Sequence, residues 1–201
     1  ELKSDCEVVL AAVKENGSAL RYASKESKTN REVVLLAVNA FGDSLQYASE
    51  ELRNDREVVI TAVKSINQFN GALEYASEEL KADREIVLEA VKGYGISVIS
   101  AAIEPDREIA LEAVKSCSLA LHYLYGFQDD REVVLEAIKQ DGDSLSFASD
   151  ELKDDREIVL AAVKENGSAL LHASYELRTD REIILAAWNQ TGQLWGLLLK
   201  N

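Results

Sequence analysis

The chain has no methionine, one proline, two cysteines and two histidines among its 201 residues, and aromatic residues make up only 6%. A single proline within a 47% hydrophobic composition argues against disorder and against an all-β sandwich, and it favours helix. No apolar run approaches the ~20 residues a membrane-spanning helix needs, so no membrane insertion is expected. The start carries no secretory apolar segment. Basic residues are also scarce: 22 Lys and Arg face 36 Asp and Glu, a net charge of −14. Such a surface repels phosphate backbones and anionic headgroups, which disfavours a nucleic-acid or membrane-surface role. A partner with a basic face is the easier match, although keeping a long array in solution is the simplest use of the charge.

What is abundant is self-similarity. Asp-Arg-Glu followed by an apolar pair recurs, with its Glu at Glu7, Glu32, Glu57, Glu85, Glu108, Glu132, Glu157 and Glu182. Successive spacings are 25, 25, 28, 23, 24, 25 and 25 residues. Five residues after each Glu stands an alanine: Ala12, Ala37, Ala62, Ala90, Ala113, Ala137, Ala162 and Ala187. These eight anchors define one array over residues 1–201, irregular between 65 and 127. The opening Glu1-Leu2-Lys3-Ser4-Asp5 resembles Glu51-Leu52-Arg53-Asn54-Asp55, so the sequence is expected to begin inside a repeat of a longer chain or precursor. Cys6 and Cys117 fall in repeats one and five, too far apart in a stack to be bridged. Two free thiols suit an intracellular, reducing compartment.

One unit explains the pattern. Asp55, or Asn30 in the same slot, is a good N-cap, and the Glu two residues later complements the helix macrodipole. Val58, Val59, Ile60, Ala62 and Val63 leave only Thr61 and Lys64 for solvent, so the first helix is expected to be buried on most sides. Gly17, Gly42, Gly142, Gly167 and Gly192 are expected to act as left-handed C-caps. A second helix is expected through segments such as Ser44–Leu52, with Leu45, Ala48 and Leu52 as its apolar stripe. A lone hairpin buries too little to offset the entropy of ordering it, so neighbours must stack. The recurring alanine is the expected point of closest approach. The fold class is therefore all-α, an α-solenoid of eight tandem ~25-residue helical hairpins.

Residues Asp155-Arg156-Glu157-Ile158-Val159-Leu160-Ala161-Ala162-Val163-Lys164-Glu165-Asn166-Gly167-Ser168-Ala169-Leu170 resemble the repeat of domain of unknown function 4116. That family occurs in bacteria, protists and large viruses and has no established activity. The resemblance covers essentially the whole chain and implies a helical repeat fold. It brings no catalytic or binding residues with it.

Few residues suggest chemistry. Arg31, Arg56, Arg84, Arg107, Arg131, Arg156 and Arg181 form a row at helix N-termini, where a cation opposes the macrodipole. Either they are forks for an anionic ligand, or they pair with the acidic ends of preceding second helices such as Glu50, Glu51 and Glu151; the second reading is favoured. Asp141-Gly142-Asp143, Asp129-Asp130 and Asp154-Asp155 lack the spacing of a calcium loop and read as caps. His122 and His172 occupy different slots two repeats apart, and His172 replaces the tyrosine of Tyr22 and Tyr47. Cys117 replaces a turn asparagine and has no activating histidine signature beside it. No Gly-x-Ser-x-Gly elbow, Walker loop or Gly-x-Gly-x-x-Gly occurs. The expectation is a chain that is not an enzyme and has no cofactor and no metal.

The informative places are where the repeat breaks. Repeat three inserts three residues near Ile66 and Phe69, repeat four is cut short before Pro105, and repeat five ends at Leu124-Tyr125-Gly126-Phe127. Phe69, Tyr94, Tyr123, Tyr125 and Phe127 gather there, and aromatic anchors dominate interface energy. At the other break, Trp188 replaces the usual valine, and Trp195, Leu197, Leu198 and Leu199 are apolar where other repeats carry acids. Both regions are candidate partner contacts, the terminus slightly favoured. The expected function is a protein-interaction scaffold or a peripheral subunit of a larger assembly. The alternatives are a recruitment module of a longer enzyme or effector chain and, last, a small-molecule binder.

Overall fold

A computed structural model describes residues 6–65 and 71–191, which are helical or in turns, with no strand among them. Two compact units are present, Glu1–Pro105 and Asp106–Asn201. Each anchor opens a long α-helix: Cys6–Glu15, Arg31–Ala40, Arg56–Lys64 and Arg84–Gly93 in the first unit. Arg107–Ser116, Arg131–Gln140, Arg156–Glu165 and Arg181–Thr191 follow in the second. Within each unit consecutive long helices pack side by side.

The caps form as their chemistry demands. Asn30 Oδ1 accepts from the N–H groups of Glu32 and Val33 at 3.0 and 3.2 Å. Asp55, Asp83, Asp130, Asp155 and Asp180 do the same in their repeats. Val58, Val59, Ala62 and Val63 are fully buried, while Ile60 and Thr61 are half-buried. The anchor alanines from Ala37 to Ala187 are buried, but Ala12, in the first long helix, is exposed.

Among the described residues, the second half of a repeat is not one helix. Gly42–Tyr47 is a 3₁₀ helix, Ala48 and Ser49 are extended, and a separate short α-helix runs Glu50–Arg53. The break has a cause outside the repeat: Ser49 N–H donates to Lys28 O of the preceding repeat at 3.0 Å. A residue committed to that bond cannot continue a helix. Its hydroxyl then caps the next one, accepting from Leu52 N–H at 3.4 Å. Ser77 N–H to Arg53 O, Ala102 N–H to Lys81 O, Ser149 N–H to Gln128 O and Ser174 N–H to Lys153 O repeat the bond at 2.7–3.0 Å. Leu45, Ala48 and Leu52 are nonetheless buried, so the apolar stripe survives without a continuous helix.

The glycines also act differently from expectation. Among the described residues only Gly71 has a positive φ, +82°. The long helices end on extended residues such as Phe41 (φ −155°, ψ 106°), not on a left-handed cap. Gly17 and Gly42 instead allow close approach: a Cβ on either would lie 2.3 Å from Ala37 O or 2.5 Å from Ala62 O, in the following repeat. The anchor alanine and this glycine are therefore two sides of one contact. Repeat four has no short helix between Ser100 and Asp106, and repeat five substitutes a 3₁₀ turn, Tyr125–Phe127.

Candidate partner surface

Five of the seven arginines of the row, Arg31, Arg56, Arg107, Arg131 and Arg156, are spent on the stack. Arg31 Nε and Nη2 donate to Asp55 at 2.8 and 3.3 Å, and Nη2 also reaches Glu57 Oε2 at 2.5 Å. Arg107 grips Asp130 at 2.7 and 3.2 Å and Glu132 at 2.6 Å. Arg56 pairs with Asp83 and Glu85, Arg131 with Asp155 and Glu157, and Arg156 with Asp180 and Glu182. The partners are thus the capping Asp and the Glu of the following repeat, not Glu50, Glu51 or Glu151 of preceding segments. Two carboxylates at the next helix start offset the unfavourable macrodipole at the arginine's own. Glu51 and Glu151 instead take hydrogen bonds from their own backbone and from Ser49 and Ser149, which holds them below the usual carboxylate range.

Arg31 and Arg107 are pushed upward in pKa by their bonds to Asp55 and Asp130, and those aspartates are held down by the same bonds. A depressed aspartate contributes stability that is complete above its ordinary value, ~3.9, and is lost as pH falls through the lower folded value. Arg107→Gln should therefore lower Tm slightly at neutral pH and low salt. The gap from the parent should close in ~1 M salt, because the pair is exposed and screened, and also as the pH falls through the depressed folded value of Asp130. A gap unchanged by salt and acid would show that the row acts through something other than charge.

The turns interlock as well. Ser168 Oγ donates to Asp143 Oδ1 at 2.9 Å, Asn166 Nδ2 donates to Oδ2 at 3.0 Å, and His172 Nε2 lies 3.8 Å from the same carboxylate. The hydroxyl is bonded to the carboxylate rather than to the imidazole, the reverse of a nucleophile–base–orienter chain. This joins repeat six to repeat seven. Among the described residues no group of three or more His, Cys, Asp or Glu is placed to hold a metal. No described helix is long and apolar enough to cross a membrane.

Once the stacking groups are accounted for, the remaining exposed apolar side chains are unevenly placed. Tyr125 and Tyr175 are each 74% exposed, and Tyr22, Ile99, Leu119, Tyr123 and Leu171 are also exposed. These are seven of the ten exposed large apolar residues described, and all seven lie in 3₁₀ or short-helix segments. The long helices present only Val8, Leu185 and Trp188. Five of the seven, Leu119, Tyr123, Tyr125, Leu171 and Tyr175, fall in the second unit, where the 3₁₀ helices Ser118–Tyr123, Gly142–Phe147 and Gly167–His172 are neighbours in that order. There the His122 ring stands edge-on to Tyr123 at 4.8 Å and tilted against Phe147 at 5.0 Å. The first unit builds the same motif with a cation: the Arg21 guanidinium lies 5.1 Å from the Tyr22 ring and 6.0 Å from that of Tyr47.

Of the sequence candidates, Tyr123 and Tyr125 are on this surface and Phe127 is half-buried beside them. Tyr94 is half-buried at the end of its helix and lines a hollow in the first unit. Trp188 is 37% exposed on the last long helix, away from the 3₁₀ segments in sequence. Ile66, Phe69, Trp195, Leu197, Leu198 and Leu199 lie outside the described residues. Leu171 and Tyr175 escaped notice, although a signal was present. Leu171 occupies the slot of Arg21, Gln46 and Glu74, and Tyr175 that of Glu50, Glu78 and Asp150, so each is apolar where the repeats other than the irregular fourth and fifth are polar.

Five segments, residues 1–28, 30–69, 64–102, 106–153 and 155–194, match the family model described as domain of unknown function (DUF4116). The chain belongs to the DUF4116 family. Three of the segments hold two anchors each, Glu32 with Glu57, Glu108 with Glu132 and Glu157 with Glu182, so a DUF4116 unit corresponds there to a pair of stacked repeats. No curated protein and no solved structure is detectably similar to this DUF4116 chain.

Proposed function

We propose that this DUF4116 chain is a non-catalytic protein-interaction scaffold or peripheral subunit, in which the 3₁₀ and short-helix segments of the second unit carry the contact face. The supporting observation is the segregation itself. The residues that recur from repeat to repeat are used to hold repeats together, while seven large apolar side chains remain exposed on one class of segment. Exposed tyrosines give large contact area at small entropic cost. Acids flank them, including Asp129, Asp150, Glu151 and Glu176, so the partner is a protein with a basic, partly apolar face. Cys117, a free thiol in a half-buried turn, suits a reducing compartment.

The test is capture of the partner from a native extract by the tagged chain. A buried aromatic anchor is worth about 2 kcal/mol, roughly a 30-fold change in affinity. Tyr125→Ala combined with Tyr175→Ala should therefore release the partner while the far-ultraviolet circular dichroism stays unchanged. Undiminished capture by the double variant would contradict the proposed face.

A further inference from the structure

One slot in the repeat nearly always carries a ring. Tyr22, Tyr47, Tyr75, Tyr123, Phe147 and His172 fill it, but repeat four has Ser100 and repeat eight Leu197. In two pairs of neighbouring repeats the ring meets the side chain one residue before the ring slot of the preceding repeat: Arg21 meets Tyr47 and His122 meets Phe147. In repeat three that preceding side chain is Glu74, and across from it the ring is missing. A hollow of about 260 Å³ is found there, lined by Glu74, Tyr94, Ile96, Ile99 and Ser100. Glu74 is exposed and makes no ion pair among the described residues. Besides Glu74 and Ser100, the hollow is lined by one aromatic and two branched aliphatic residues.

We infer that this hollow receives a single arginine side chain from the protein partner, which supplies the group that Ser100 omits. The inference rests on the scaffold reading and names one chemistry within it. About 260 Å³ falls below the ~300–1,000 Å³ of sites for small-molecule ligands and cofactors, and a single side chain is the better match. An arginine stem is apolar and matches Ile96 and Ile99, and its planar head can both stack on Tyr94 and donate in a fork to the Glu74 carboxylate. The chain already shows this preference internally, in the Arg21 guanidinium set against Tyr22 and Tyr47. A neutral side chain would forgo the attraction of the Glu74 carboxylate, and an acidic one would be repelled.

The probe is N-acetyl-arginine amide, titrated into the 201-residue chain and followed by amide chemical-shift changes, with the citrulline analogue as the neutral isostere. Shifts should concentrate at Glu74, Tyr94, Ile96, Ile99 and Ser100, and citrulline should not produce them. Glu74→Gln should abolish them. Ser100→Tyr, which restores the ring other repeats carry, should abolish them too while raising Tm, so lost binding is not lost folding. Absence of shifts at these residues, equal shifts with citrulline, or shifts unchanged in both variants would each overturn the inference. A partner that still binds Ser100→Tyr at full strength would also overturn it, and would leave the scaffold reading standing on Tyr125 and Tyr175.

Discussion

Gly142→Ala should be among the most damaging single substitutions in the described chain, although it adds one methyl group at a turn. The added Cβ would lie 2.4 Å from Ala162 O, 2.9 Å from Asn166 N and 3.0 Å from Asn166 Cβ. The first two are backbone atoms of the next repeat. Ala162 O is already the acceptor for Asn166 N–H at 2.8 Å, so it cannot swing aside without opening the end of that helix. Overpacking of this kind costs about 1–3 kcal/mol, and a fixed carbonyl places the change at or beyond the upper end. Gly126→Ala is the control, since nothing lies within 4 Å of its added Cβ. It should be neutral, or slightly stabilising through the unfolded chain. Denaturant midpoints of the two variants check this. A Gly142→Ala midpoint as high as that of Gly126→Ala would mean that the close approach is not what selects glycine there.

The all-α repeat fold was legible in the sequence because periodicity, caps and core positions agree in most units. The Asp or Asn before each helix and the alanine five residues after each Glu needed no knowledge of neighbours. What was not legible depended on the adjacent repeat. A glycine after a helix reads locally as a left-handed cap, whereas Gly42 is selected by Ala62 O, twenty residues downstream. Ser44–Leu52 reads locally as one amphipathic helix, but the bond from Ser49 N–H to Lys28 O interrupts it. Arg31 has acids in several directions, and only the stacking direction shows that it reaches Asp55 and Glu57. Within the candidate surface, Tyr123 and Tyr125 stood out because aromatics are rare here. Leu171 and Tyr175 sit in regular repeats, and only a slot-by-slot comparison of polarity exposes them.

The repeat's recurring residues are set by the neighbouring repeat rather than by the helix that carries them. Three alanines separate these causes. Ala137 is fully buried in the anchor slot, Ala161 is half-buried in a slot that elsewhere holds Leu36 and Glu89, and Ala12 is exposed in the anchor slot of the first long helix. Leucine is nearly as good a helix former as alanine, so helix propensity predicts the same small change at all three. Packing between repeats predicts otherwise: Ala137→Leu should cost about 1–3 kcal/mol, and the other two should stay within ~0.5 kcal/mol of the parent. The decisive measurement is equilibrium denaturation of Ala137→Leu, Ala161→Leu and Ala12→Leu side by side. A large loss for Ala137→Leu alone is the expected result, and equal midpoints for the three variants would contradict the account.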